Sequence, residues 1–141
     1  MSSRFPVAVH LFFLRNESVL LLRRVNTGWE DGKYSVPAGH VETGESVIEA
    51  AVRESHEEVG ICLKTLDLEV VHVMHRKAEE ERIDFFLVVK SWTGEITNKE
   101  PHKCDDLSWL PLASLPDNVI PYVRQGLTNY KNGILFTEFG W

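Results

Sequence analysis

Arg53-Glu54-Ser55-His56-Glu57-Glu58-Val59-Gly60-Ile61 carries glutamates at i, i+3 and i+4. A helix turns all three toward one side, within an arc of roughly 100°. The same segment carries an apolar stripe of Val47, Ile48, Ala51, Val52 and Val59, so the acids lie along the border of a buried face. Ser46 and Glu49 have capping-box spacing, and Gly60 suits the left-handed position that ends a helix. The acids crowd the last turn, where the helix dipole disfavours negative charge, and no lysine lies i+4 from any of them. A solvated acidic face is one reading. The other is a hard divalent cation held by carboxylate oxygens, which would balance the repulsion.

Upstream, Tyr34-Ser35-Val36-Pro37-Ala38-Gly39-His40-Val41-Glu42-Thr43-Gly44-Glu45 reads as a short strand, a loop bracketed by two glycines, and the entry to the helix. Glycines there let the backbone approach a ligand closely. Gly39, Glu45, Arg53-Glu54, Glu57-Glu58, Gly60 and Ile61, in this spacing, resemble the Nudix box over residues 39–61. Ser55 stands where the family usually has an aliphatic or small apolar residue, and it is small enough to pack there.

The resemblance implies a pyrophosphohydrolase that cleaves a phosphoanhydride of a nucleoside diphosphate derivative with Mg²⁺ or Mn²⁺. It assigns Glu54, Glu57 and Glu58 as metal ligands, joined by the main-chain carbonyl of Ala38. It pairs Glu45 with Arg53, and gives Gly39, Glu45 and Gly60 the task of shaping the loop. Leu21-Leu22-Arg23-Arg24 is similar to the MutT-type strand that puts an arginine, here Arg23, on the substrate phosphates. Residues 85–92, followed by Gly94-Glu95 and Lys99-Glu100, are similar to the strand and loop that bring a further metal-binding or base-like glutamate, here Glu100. Pro116-Asp117-Asn118 is similar to the segment whose asparagine reads the base. The implied fold is α+β: an α/β/α sandwich with a mixed sheet between helices, one domain over residues 1–141.

The residue types suit that chemistry. Cations must neutralise a pyrophosphate before water can attack it, and they acidify that water. Magnesium needs few carboxylates because it keeps waters and takes substrate phosphate, whereas zinc prefers His and Cys. Glu57 and Glu100 both qualify as the proton acceptor. Markers that the family carries beyond the box, a proline for ADP-ribose or a tyrosine for diadenosine polyphosphates, are lacking in His75-Arg76-Lys77-Ala78. A nucleoside triphosphate, with an oxidised or non-standard one among the candidates, is therefore the leading substrate. A nucleotide sugar or dinucleotide is the alternative, followed by a non-catalytic nucleotide-binding module.

With 141 residues and 43% hydrophobic content, the chain suffices for one core. A net charge of −6 argues against a passive nucleic-acid surface. Two cysteines, Cys62 and Cys104, make no disulfide framework and read as core or edge thiols. No signal peptide is expected, and the run from Val7 to Leu14 is too short to span a membrane, so a cytoplasmic enzyme is the expectation.

Strands are expected at 7–14, 19–25, 66–76, 83–92 and 106–110, with a second helix at 118–130 capped by Asp117 or Asn118. Trp29, in a turn-rich loop, reads as a packing anchor or a lid over a ligand, with the anchor favoured. Asp84 interrupts an apolar strand and suits a sheet edge or contact with a base amide. The tail from Ile134 to Trp141 is apolar and would pack on the core or on a second subunit, which leaves a homodimer open.

Overall fold

The computed structural model describes all 141 residues. In chain order the elements are β1 (Val7–Arg15), β2 (Ser18–Arg24), β3 (Tyr34–Ser35), β4 (Ala38–His40), α1 (Val47–Val59), β5 (Leu68–Lys77), β6 (Glu81–Val89), β7 (Cys104–Pro111), α2 (Pro121–Lys131) and β8 (Phe136–Phe139). The strand order is β3-β2-β1-β6-β5-β8, with β4 also pairing β1 and β7 also pairing β2.

The apolar run of β1 lies at the centre because it has a partner on every side. It pairs parallel with β6 from Val7↔Ile83 to Phe13↔Val89, and antiparallel with β4 from Ala8↔His40 to His10↔Ala38. It joins β2 through Asn16 and Glu17, whose φ of 49° and 63° supply the twist of a tight hairpin. Alternation along β1 then defines two cores. Val9, Leu11 and Phe13 pack with Ala50, Ala51 and Val59 of α1, while Phe12 packs on the opposite face with Val123 and Leu127 of α2. The result is a mixed sheet between two helices, the α/β/α sandwich.

The termini of α1 form as the sequence predicts. Ser46 Oγ accepts from Glu49 N and the Glu49 carboxylate accepts from Ser46 N, while Gly60 takes φ 73°. Ser55 is buried and donates its hydroxyl to Ile61 O at 3.0 Å, so the departure from an apolar residue is absorbed by a hydrogen bond.

Elsewhere tertiary contacts override the local pattern. A bulge between Val70 and His72 breaks the alternation of β5: Leu68 packs on the α1 side, and Met74 on the α2 side. Helix α2 begins at Pro121, not Asn118, and Ile120 caps it without a side-chain bond. Residues 118–120 are instead held along β3: Tyr34 N donates to Asn118 O, and Ile120 N donates to Tyr34 O. Asp84 is at neither an edge nor a surface but fully buried. The tail forms β8, a parallel edge strand on β5. Cys104 is buried and Cys62 is exposed. No helix is long and apolar enough to cross a membrane.

Candidate active site

The N-terminal part of β1 carries β4, and β4 lies under the C-terminal half of α1. Gly39 leaves the room that the Glu54 carboxylate occupies, since a Cβ there would lie 2.1 Å from Glu54 Oε1. Ala38 N donates to Glu58 Oε2 at 2.9 Å, which ties the same short strand to the last turn of α1.

Arg53 organises the cluster from the side. Its Nε and Nη2 donate to the two Glu45 carboxylate oxygens at 2.7 and 2.9 Å, and Nη2 also donates to His40 O. Its Nη1 donates to Glu54 Oε1 at 2.6 Å and Glu57 Oε2 at 3.2 Å. This bidentate geometry, with the Glu42 backbone N–H, holds the Glu45 carboxyl down at about 2. The same contacts raise the Arg53 guanidinium above its ordinary value.

A second segment closes the site from across the helix end. Thr97 N donates to Val59 O and Lys99 N to Glu58 O, so the loop after β6 satisfies carbonyls that the end of α1 leaves free. Asn98 braces Glu100: its Oδ1 accepts from Glu100 N at 3.1 Å, and its Nδ2 donates to Cys104 O at 2.8 Å.

Glu54, Glu57, Glu58 and Glu100 thereby line one cavity of about 430 Å³, with Ala38, Gly39, Arg24, Asn26, Thr27, Asn98 and Lys103 also on its wall. Burial raises the Glu54 carboxyl, against the pull of Arg53, and Glu57 and Glu100 add to the rise. Burial, then the charges of Glu54 and Glu100, push the Glu58 carboxyl well above its ordinary value, against the hydrogen bond from Ala38 N. Both rises reflect burial and crowding of the acids, which Arg53 offsets only in part. No three side chains already close into a chelate. An acid-rich wall that carries no histidine and a single thiol, Cys104, and has no finished cage fits a small hard dication that keeps waters and takes phosphate oxygens better than it fits zinc.

Two expected site residues lie elsewhere. Arg23 donates its Nε to Asp105 Oδ1 at 2.8 Å in an exposed pair and lines no part of this cavity. Successive side chains of a strand face opposite ways, and the register with β7 shifts between Arg23 and Arg24, so Arg24 reaches the cavity instead. Asn118 donates its Nδ2 to Gly32 O and is likewise off the wall. Arg24, Lys103 and Asn98 were not singled out from sequence, and only the proximity of Lys103 to Glu100 could have suggested one of them.

A second cavity, of about 660 Å³, opens beside the first and shares Arg24, Ala38 and Gly39 with it. Its wall includes Trp29, Tyr122, His10 and Arg76. Trp29 is 45% exposed, so it is not a packing anchor.

The chain belongs to the NUDIX family: the NUDIX domain model matches residues 4–129. It is 29% identical over 123 residues to the 8-oxo-dGTP diphosphatase of Escherichia coli strain K12, covering 84% of this chain and 88% of that protein. It is 27% identical over 121 residues to the uncharacterized Nudix hydrolase YvcI of Bacillus subtilis strain 168, covering 79% of this chain and 74% of that protein. Its fold superposes on the crystal structure of a MutT NUDIX hydrolase from Burkholderia pseudomallei with a TM-score of 0.81 at 26% identity, covering 89% of this chain and 98% of that one. The protein is a MutT-like Nudix hydrolase, an enzyme acting on phosphorus-containing anhydrides. Enzymes of this family generally use divalent metal ions and act on small-molecule nucleotides.

Proposed function

We propose that this hydrolase cleaves a phosphoanhydride of a nucleoside triphosphate, releasing the monophosphate and pyrophosphate, with Mg²⁺ or Mn²⁺ at the acid cavity. The observation that carries the reading is the meeting of Glu54, Glu57, Glu58 and Glu100 on one wall with two cationic side chains, Arg24 and Lys103, on the same cavity. A bound dication supplies neutralisation of the phosphate and acidification of the attacking water.

The remaining work falls to the chain itself. Arg24 and Lys103 draw the polyphosphate in and fix its position among the acids. Glu54, Glu57, Glu58 and the Ala38 main chain are the oxygens that would hold the metal. Arg53 steadies the Glu54 and Glu57 carboxylates through the hydrogen bonds from its Nη1. Glu57, the most exposed of the helical acids at 52% of its side chain, or Glu100 takes the proton of the attacking water.

The test is a panel of nucleoside triphosphates, oxidised triphosphates, dinucleotides and nucleotide sugars, run in ¹⁸O-labelled water with and without Mg²⁺. Metal-dependent release of pyrophosphate from triphosphates supports the proposal. Turnover confined to dinucleotides or nucleotide sugars, or none on any compound, defeats it.

A further inference from the structure

Glu100 reaches the acid cavity from a loop, whereas Glu54, Glu57 and Glu58 sit on a capped helix. A group on a loop needs something to hold it, because a misplacement of about 1 Å costs on the order of 100-fold in rate. The Glu100 side chain has little hold of its own. Its ion pair with Lys103 Nζ is 4.0 Å long, and the two side chains are 33% and 55% exposed. Exposed pairs of that kind contribute little. The place of the carboxylate is therefore set by the main chain that carries it.

That main chain is held on both sides. Glu100 O accepts from Lys103 N at 2.9 Å and from Cys104 N at 3.0 Å, which closes a turn around Pro101 and His102. Glu100 N donates to Asn98 Oδ1 at 3.1 Å, and Asn98 Nδ2 donates to Cys104 O at 2.8 Å. The Asn98 amide thus spans the loop from its entry to the first residue of β7. Both of its functions are required, since a main-chain N–H can only donate and a carbonyl can only accept. Its two polar atoms are engaged within the chain, although Asn98 lies on the cavity wall. The flanking residues tie the same loop to the rest of the site. Thr97 N and Lys99 N donate to Val59 O and Glu58 O at the end of α1. Cys104 pairs with Arg24 across β7 and β2, and Val25 N donates to Lys103 O. Asn98 therefore links the part of the loop docked on the helix acids to the part docked beside Arg24.

We propose that Asn98 is a positioning residue that holds the Glu100 carboxylate at the acid wall, acting through the main chain of Glu100 and Cys104 and not on substrate. The inference rests on the hydrolase reading above, in which Glu100 serves the metal or the attacking water. Without the amide, Glu100 N–H loses its partner and the carboxylate is free to swing toward Lys103 and solvent.

The test is a double-mutant cycle of Asn98→Ala and Glu100→Gln. It is read by kcat and KM on whichever compound of the panel is hydrolysed, and by calorimetric titration with Mn²⁺. Asn98→Ala should lower kcat at least ~10-fold with KM within about threefold of wild type. In the Glu100→Gln background the same change should alter kcat by less than about twofold, because the carboxylate it positions is already gone. The hydroxyl of Asn98→Ser can accept from Glu100 N but does not reach Cys104 O, so this variant should recover part of the loss. Should Asn98→Ala fail to fold, Asn98→Ser, expected about threefold below wild type in kcat, runs the same cycle. A kcat for Asn98→Ala within about twofold of wild type, equal losses in both backgrounds, or a Glu100→Gln enzyme as fast as wild type each overturns the proposal. Turnover confined to dinucleotides or nucleotide sugars strikes the triphosphate reading, and the cycle is then read on those compounds. An enzyme inert on every compound strikes hydrolysis itself, and the Mn²⁺ titration decides. Asn98→Ala and Glu100→Gln should then weaken binding by the same factor, and wild-type affinity in Asn98→Ala overturns the proposal.

Discussion

Glu54 Oε1 occupies the space in which a side chain on Gly39 would begin, with 2.1 Å between that oxygen and an ideal Cβ. A side chain at position 39 would therefore have to push the Glu54 carboxylate out of its present place beside β4. Gly39→Ala should displace Glu54, lower kcat at least ~10-fold and weaken Mg²⁺ binding, while the capped helix persists. Turnover and calorimetric Mg²⁺ titration of the variant check this; unchanged values for both would show that Glu54 can leave its position without consequence.

Glu57→Gln should cut kcat by at least ~100-fold, as loss of a metal ligand or proton acceptor does. Its circular dichroism and Tm should match wild type, because the side chain is half-exposed and the acids repel one another. In wild type, EDTA should abolish turnover and added Mg²⁺ or Mn²⁺ should restore it. A folded Glu57→Gln enzyme with near-normal turnover refutes the role.

The two adjacent arginines of β2 separate cleanly. Arg24→Ala should lower kcat/KM on the order of tenfold or more, through loss of a charged contact to phosphate. Arg23→Ala removes an exposed pair with Asp105 and should leave kcat/KM within about twofold. Steady-state kinetics on both variants decide, and the reverse ranking would return the phosphate contact to Arg23.

Acid should expose the Asp84 cluster. Burial alone would raise this carboxyl, but His10 and Arg76 outweigh it and hold the value at about 2, against 3.8 for the ordinary group. Between those values the unfolded chain binds the proton more readily, so the contribution is complete above about 3.8 and fades as pH falls toward 2. Its size is about 2 kcal/mol. The stability gap between wild type and Asp84→Asn, from urea unfolding, should therefore narrow between pH 5 and pH ~2.5. A constant gap would mean that Asp84 is not ionised in the fold.

Features encoded within a few residues were legible in the sequence. The capping box, the left-handed Gly60 and the three acids of α1 depend on neighbours in one helix, and together they located the acid wall. Features set by distant partners were not. Arg23 and Arg24 are equivalent in an alternating pattern until pairing with β7 shifts the register between them. Asn118 looks like a helix cap until Tyr34 draws its backbone into a bridge. Asp84 stood out as an acid in an apolar run, but its partners lie 8 and 74 residues away. Trp29 is large enough to suggest burial, and only the loop around it, braced by Asp31 on Thr27 N and Gly28 N, keeps the indole at the surface.

The parallel pairing of β1 with β6 also governs how the protein comes into being. During synthesis β1 is made before its companion, Glu81–Val89, with β2, β3, β4, α1 and β5 in between. Until then Val7-Ala8-Val9-His10-Leu11-Phe12-Phe13-Leu14 is a sticky, uncharged ribbon suited to cross-β association. The interval between making the two strands is thus the window in which this segment is open to association with other chains.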